Sequence, residues 1–175
     1  MNVGKLLETV NSLVPLNYAF DDDFVGLTVG SEDSKVNGVA VAHELENSIL
    51  DYSTNNNINT LITYHPPPLK KILKDDGTEA FEDDLLTAKC RESGFNIITI
   101  HTAQDVCNGG NADSLVDLFG ITDTKVFART VGKFGAGRYG NITKTSNSKL
   151  KAIVESKLNT KIVRTNEYFQ EIKEI

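Results

Sequence analysis

Valine and leucine recur near the amino terminus at the three- and four-residue spacing of a helix face. They occupy positions 3, 6, 7, 10, 13 and 14, and Pro15 follows as a stop signal, so a helix is predicted here. Three short apolar runs come next, at 36–42, 59–64 and 95–100, and each is typical of a buried strand. Amphipathic segments at 44–56 and 81–93 separate these runs, and Gly94 closes the second as a helix-ending glycine.

The order strand, helix, strand, helix, strand predicts an α/β fold. Runs that are apolar on both faces suit a mostly parallel sheet flanked by helices. Beyond the third strand a helix is predicted from Asn111, its cap, to Gly120, its end. Strands at 124–131 and 138–145, a helix at 148–158 and a strand at 160–165 complete the pattern. No repeat or linker divides the chain, so we predict a single domain over 1–175.

Composition narrows the class of protein. The 175 residues are 39% hydrophobic and 24% charged, as in ordinary globular domains. A formal net charge of −6 argues against a broad nucleic-acid-binding surface. The two cysteines are too few for a disulfide framework, and no apolar run approaches the roughly 18 residues that span a bilayer. With no signal-peptide pattern at the amino terminus, we expect a cytoplasmic protein without membrane segments.

The three histidines of the chain each lie at or just past the end of a predicted strand. They are His43, His65 and His101, and Glu44 and Asp105 accompany them. The carboxyl ends of parallel strands share one edge of a sheet, where such folds bind ligands. Imidazole and carboxylate together suit zinc, iron or manganese. The alternative is structural: hydrogen-bonded histidines, an acid that begins a helix and an ordinary turn aspartate.

Other positions admit two interpretations each. The glycine-rich segment GKFGAGRYG (132–140) either brings Arg138 to a phosphate or forms a tight turn between two strands. The segment does not end in the lysine followed by serine or threonine that is typical of a P-loop. Tyr64 is either a proton donor or an aromatic at the core edge. The acidic run Asp21-Asp22-Asp23 is interpreted as a solvated turn, with binding of a hard cation as the alternative. The three prolines 66–68 are interpreted as a rigid loop that limits the movement of His65.

Four segments together resemble one known family. They are FVGLTVG (24–30), LITYHPPPLKKI (61–72), IHTAQDVCNGGNADSLVDLFG (100–120) and GAGRYGNI (135–142). Their order and spacing are similar to those of the NIF-three-like proteins, which are called GTP cyclohydrolase I type 2 homologues. The resemblance implies an α/β fold, one or two divalent metal ions per subunit, and a ring-like hexamer assembled from dimers.

The resemblance also implies roles for individual residues. His65 takes the second position of the family's histidine pair, and His101 and Asp105 take the two positions of its H-T-x-x-D motif. Asp105 is then a candidate bridge between metals. Glu44 aligns loosely with an aspartate near the end of the first core strand.

The chain departs from the family pattern in three places. Tyr64 stands where the family has its first histidine, so that this metal ligand is either lost or replaced by the phenol, and Tyr64 and Glu44 are possible additional ligands. The family's aromatic-aspartate-asparagine run reads Asp22-Asp23-Phe24 here. The family's remaining ligands, a histidine and a glutamate, lie in a carboxyl-terminal segment, and this sequence has no histidine after His101. We therefore expect a short or truncated member of the family.

Two hypotheses about function follow. In the first, the protein is a metal-dependent hydrolase of a nucleotide or other phosphorylated small molecule, with the metal on His65, His101 and Asp105 and a phosphate steered by Arg138. In the second, it is a non-catalytic member whose degenerate metal site serves in binding or as a scaffold. The partners expected are copies of the same chain and a small molecule, and not nucleic acid or a membrane.

Overall fold

The computed structural model describes residues 1–162 and the backbone of 172–174. Its helices and strands are α1 (Val3–Leu13), β1 (Gly26–Val29), β2 (Val39–Ala42), α2 (Asn47–Asn55), β3 (Thr60–Thr63), β4 (Leu69–Leu73), β5 (Glu79–Asp83), α3 (Leu85–Glu92), β6 (Asn96–Thr99), α4 (His101–Val106), α5 (Asn111–Phe119), β7 (Thr122–Arg129), β8 (Gly135–Thr145), α6 (Asn147–Leu158) and β9 (Ile172–Glu174). The predicted single domain contains two compact units, Met1–Cys107 and Asn108–Ile175. Among these described residues, no helix has the length and apolar character needed to cross a membrane.

The first unit is built on a four-stranded sheet in the order β1-β6-β3-β2. Strands β2, β3 and β6 are parallel and in register, so that Val41 lies opposite Ile62 and Ile62 opposite Ile98. Strand β1 pairs antiparallel with β6 at one edge. The predicted α/β fold with a mostly parallel sheet is confirmed for this unit.

Helices cover both faces of the sheet at β3 and β6, which is why the middle residues of these strands are apolar, whereas Val41 of the edge strand β2 is 77% exposed. On one face, α1 packs Val3, Leu6 and Val10 against Ile98. On the other face lies a cluster that includes Leu61 and Ile97 of the sheet with Leu50 of α2 and Cys90 of α3. A sheet held on both sides is a rigid platform for side chains at its strand ends.

The predicted helix over 81–93 is wrong at its start. Residues 81–83 belong to β5, which pairs antiparallel with β4, and Gly77 supplies the positive φ of +81° in the connecting turn. Asp84 is the reason that the helix begins where it does, because its carboxylate accepts hydrogen bonds from the backbone N–H groups of Leu86 and Thr87, both at 2.9 Å. The N-cap residue itself has extended backbone (φ −73°, ψ 178°), which suits the end of a strand.

The second unit contains antiparallel strands. Strand β8 pairs with β7 and with β9, and α5 ends at Gly120, in the left-handed conformation predicted for it (φ +65°). The cap of α5 is Gly110 and not Asn111, so that prediction is corrected by one position. The predicted helix at 148–158 is confirmed as α6.

The glycine-rich segment is mostly strand rather than turn. Residues 135–140 lie within β8, and the connection to β7 is closed at 130–134, where Thr130 N–H donates to the Phe134 carbonyl at 3.0 Å. Gly137 lies opposite Phe127, whose ring fills the space that a Cβ would need. Of the strand predicted at 160–165, residues 160–162 form no strand and 163–165 lie outside the described residues.

Candidate functional site

Three parallel strands bring all three histidines to one edge of the sheet. Backbone pairing continues past the strand ends, where His65 N–H donates to the His43 carbonyl at 2.8 Å and His101 N–H donates to the Tyr64 carbonyl at 2.9 Å. The ring centroids of His43 and His65 are 4.4 Å apart, and those of His65 and His101 are 5.8 Å apart. The Tyr64 ring stacks on His43 at 5.3 Å. These four rings are called the histidine cluster below.

His101 is held by a carboxylate that is distant in sequence. Its Nδ1 lies 2.5 Å from Asp23, which also accepts hydrogen bonds from the backbone N–H of Thr102 at 3.2 Å and from the Thr102 hydroxyl. The Asp23 side chain is only 11% exposed. Burial by itself raises the pKa of this carboxyl, but the hydrogen bonds from Thr102 and His101 outweigh it and the pKa lies below its usual range. Asp23 is therefore an ionised acceptor at neutral pH.

The backbone of His101 is strained. Its φ is +27°, a value that side chains with a Cβ rarely adopt. Non-glycine residues in such conformations cluster at functional sites, where the surrounding structure enforces them. Here the enforcing contacts are the hydrogen bonds from His101 and Thr102 to Asp23.

His65 has a similar, more exposed partner. Its Nδ1 lies 3.3 Å from a carboxylate oxygen of Glu44, and both side chains are partly open to solvent. In each of these two histidines the nitrogen next to the ring attachment is bonded to a carboxylate, which leaves Nε2 as the nitrogen for a ligand. Metal-binding histidines commonly have this arrangement.

Asp105 faces Tyr64. It lies one helical turn after His101 in α4, and the Tyr64 hydroxyl is 3.1 and 3.0 Å from its two carboxylate oxygens. The structure thus brings together five of the residues singled out by sequence, namely Glu44, Tyr64, His65, His101 and Asp105.

Comparison with known proteins places the chain in a family. A model of Duf34/NIF3 (NGG1p interacting factor 3) matches residues 1–175. The chain belongs to the Duf34/NIF3 family. A Lactococcus lactis relative called a GTP cyclohydrolase 1 type 2 homolog is 29% identical over 153 residues, covering 86% of this chain and 56% of its own. A Bacillus subtilis relative of the same name is 26% identical over 130 residues, covering 74% of this chain and 34% of its own.

The fold is shared with solved members of the family. A crystal structure of a Bacillus cereus protein related to NIF3 superposes with a TM-score of 0.79 at 16% identity, covering 99% of this chain and 75% of that one. The chain spans about a third to about half of the length of the curated Duf34/NIF3 relatives that it matches.

Arg138, the predicted phosphate contact, lies in the second unit. Its Nε donates to Asp113 at 2.8 Å, and its Nη1 donates to the carbonyls of Gly135 and Gly137 at 2.7 and 3.1 Å. The side chain is 9% exposed. In this structure the guanidinium ties β8 to α5, and its contact with a phosphate stays a prediction.

Asp23 is the residue that sequence reasoning missed. The run of three acids predicts a solvated turn for Asp23 and its neighbours, yet Asp23 alone of the three bonds to His101 in the described structure. A signal existed in the family pattern, because the middle aspartate of the aromatic-aspartate-asparagine run is retained at position 23.

The residues fit a metal by their chemistry. Imidazole nitrogen and carboxylate oxygen are the donors that zinc, iron and manganese use, and two of the imidazoles are already oriented by carboxylates. Within residues 1–162, however, no group of three or more histidine, cysteine or acidic side chains is arranged closely enough to hold an ion as it stands. To bind a metal ion, the donor atoms would have to move closer together. This movement would have to change the hydrogen bond between Tyr64 and Asp105.

Proposed function

We propose that this protein binds a divalent metal ion through His65, His101 and Asp105 and hydrolyses a nucleotide or other phosphorylated small molecule. The observation that supports it is the pairing of two imidazoles with carboxylates at the shared edge of parallel strands. The two imidazole rings also lie near one another, with their centroids 5.8 Å apart. Zinc, iron or manganese, at one or two ions per subunit, would suit the donor set.

Each residue of the site has a role in this proposal. Asp23 and Glu44 hold the Nδ1 atoms of His101 and His65, which leaves Nε2 of each ring for a ligand. Asp105 supplies carboxylate oxygen, and Tyr64 can return a proton from its hydroxyl to a leaving group. A bound divalent ion supplies Lewis acidity and an acidic water at neutral pH.

The substrate class rests on the relatives. The curated relatives are called GTP cyclohydrolase 1 type 2 homologs, which points to nucleotides. Because the chain spans only part of their length, the activity of a whole relative is a proposal here. We also propose self-association into the hexamer that the family resemblance implies, which sedimentation velocity tests directly.

A second candidate is a non-catalytic member of the family that binds a ligand or partner. The observation that favours it is the hydroxyl of Tyr64 within hydrogen-bonding distance of both oxygens of Asp105. In this candidate the phenol of Tyr64 stabilises the Asp105 carboxylate in place of a metal ion. The site has then lost its metal and has only a structural role.

Elemental analysis of untagged protein tests the metal site. We expect one or two ions per chain in the wild type and loss of bound metal in the double variant His65→Ala, Asp105→Ala. Asp22→Ala is the matched control, because this exposed acid lies near the site in sequence and belongs to the same acidic run as Asp23. Metal content that is unchanged in the double variant would contradict the proposal.

A substrate screen then separates enzyme from binding protein. Nucleotides and phosphoesters are incubated with wild type, with and without a chelator, and with the double variant. Turnover that is lost with the chelator and also lost in the double variant, which lacks His65 and Asp105, supports the hydrolase. A metal-loaded protein that turns over nothing supports the non-catalytic candidate.

A further inference from the structure

A groove of about 630 Å³ opens in the first unit beside the histidine cluster. This volume falls in the range of sites that hold small organic ligands. Its walls are mainly apolar and include Phe24, Leu27, Pro67, Leu69 and Phe81. The β4–β5 hairpin contributes Leu69 and Phe81, which gives this hairpin a role that the sequence did not reveal.

The groove and the histidine cluster are linked by two residues. Asp23 lines the groove and also accepts the hydrogen bond from His101. Pro66 lines it and directly follows His65 in the chain. Part of the groove wall is therefore formed by a residue bonded to one imidazole and by the chain neighbour of another.

Two aromatic rings in the wall are open to solvent. Phe24 is 53% exposed and Phe81 is 58% exposed, although both border a concave surface. Exposed phenylalanines in a cleft offer flat faces on which a planar ring can stack, and such stacking tolerates any aromatic base.

The polar groups of the groove decide the charge of its occupant. Besides Asp23, the groove contains Asp83 and Arg91, which form a bidentate pair with Nε and Nη2 of the arginine 2.7 and 3.2 Å from the carboxylate oxygens. Two carboxylates and one guanidinium leave the lining with one net negative charge, which disfavours a phosphate inside it. The pair instead presents a hydrogen-bond acceptor beside a donor, as the edge of a heteroaromatic base requires.

We propose that this groove binds a neutral heteroaromatic ring of the nucleobase class, stacked on Phe24 and Phe81 with its polar edge at the Asp83–Arg91 pair. The assignment of this ring to a substrate rests on the proposed function, since the phosphorylated end would then lie at the histidine cluster. Binding of the ring itself needs no metal and no turnover. The two proposals can therefore fail separately.

The test uses the absence of tryptophan from the sequence. Phe81→Trp introduces a single reporter in the groove, and Phe127→Trp introduces one at a comparably exposed phenylalanine, 52% accessible, in the second unit. Both full-length variants are titrated with adenosine, guanosine and inorganic phosphate in the presence of a chelator. We expect nucleosides to quench the reporter at 81 in a saturable manner and to leave the reporter at 127 unchanged, with no effect of phosphate at either.

Affinity measurements on variants complete the test. Nucleoside binding followed by NMR should weaken about tenfold in Phe24→Ala and in Phe81→Ala, as the loss of one stacking face predicts. Phe127→Ala should bind like the wild type, and circular dichroism checks that each variant is folded. Binding that is equal in all variants would overturn the proposal. So would quenching at 81 that depends on protein concentration and not on nucleoside, because a second copy of the chain would then cover the groove.

Discussion

The hydroxyl of Tyr64 lies 3.0 and 3.1 Å from the two carboxylate oxygens of Asp105. The family pattern has a histidine at position 64, so this substitution does more than remove a donor. It places a phenol on the carboxylate that the family resemblance makes a bridge between metals. A metal and the Tyr64 proton would compete for the same oxygen lone pairs.

Tyr64→His is expected to raise metal affinity. The substitution removes the competing phenol and adds an imidazole beside His65, so we expect affinity to increase by about tenfold or more. Tyr64→Phe, which only frees the carboxylate, should give a smaller increase. Titration calorimetry with zinc and manganese measures both. Tyr52→Phe on α2, where the tyrosine is exposed, is the control and should change nothing. Equal affinities in wild type and both variants at 64 would contradict this competition.

Asp23→Asn is expected to disorder the His101 ring without unfolding the protein. An amide can still accept one bond, but it holds the Nδ1 proton less strongly than a carboxylate does. We expect metal affinity to fall about 10- to 100-fold, as for other residues that orient a ligating histidine. The chain has three histidines, so nitrogen NMR with labelled histidine reads the ring tautomer of each. Asp22→Asn should leave the His101 signals in place. If Asp23→Asn also leaves them in place, Asp23 does not orient this ring.

Two glycine variants separate backbone strain from crowding. Gly30 and Gly77 both have positive φ, +100° and +81°. A Cβ on Gly30 would collide with the buried side chain and backbone of Asn96, whereas one on Gly77 would meet nothing within 4 Å. Gly77→Ala should cost about 1 kcal/mol of unfolding free energy from the conformation alone. Gly30→Ala should cost about 3 kcal/mol because overpacking is added. Urea denaturation measures both, and similar values would show that Asn96 moves aside freely.

Cys90 makes the stability sensitive to alkaline pH. Burial raises the pKa of its thiol from 9.0 to about 11, so the folded chain keeps the proton where the unfolded chain releases it. The contribution of the Cys90 thiol to the free energy of unfolding has its full value below pH 9.0 and is lost as the pH rises toward about 11. Cys90→Ala should show a shallower decline of unfolding free energy over this range than the wild type. Native protein at pH near 8 should also resist thiol reagents, since Cys90 and Cys107 are both buried.

Apolar periodicity was enough to predict the central sheet. Strands β3 and β6 and helix α1 have continuous or helically spaced apolar residues because they are covered in the core. The edge strand β2 is equally apolar in sequence, but its valines Val39 and Val41 are exposed. The β4–β5 hairpin was missed because its strands are largely exposed and have no apolar face to detect. Helix α4 was missed because it has only six residues and begins at a histidine with positive φ.

The sequence was enough to predict those residues of the candidate site whose metal-binding side chains come directly after a predicted strand. His65 and His101 could be placed together because parallel topology aligns strand ends. The partnership of Asp23 with His101 could not, because 78 positions separate the two residues and spacing carries no information over such a distance. The bond between Tyr64 and Asp105 was equally hidden, since it depends on the direction in which α4 leaves the sheet.

The division of the chain at residue 107 has a consequence for how this site can evolve. Its imidazoles, its carboxylates and the residues lining the groove all come from Met1–Cys107. Among the described residues, Asn108–Ile175 contributes none of these groups. In this chain, substitutions can therefore accumulate in Asn108–Ile175 without replacing an imidazole, a carboxylate or a groove residue of the first unit.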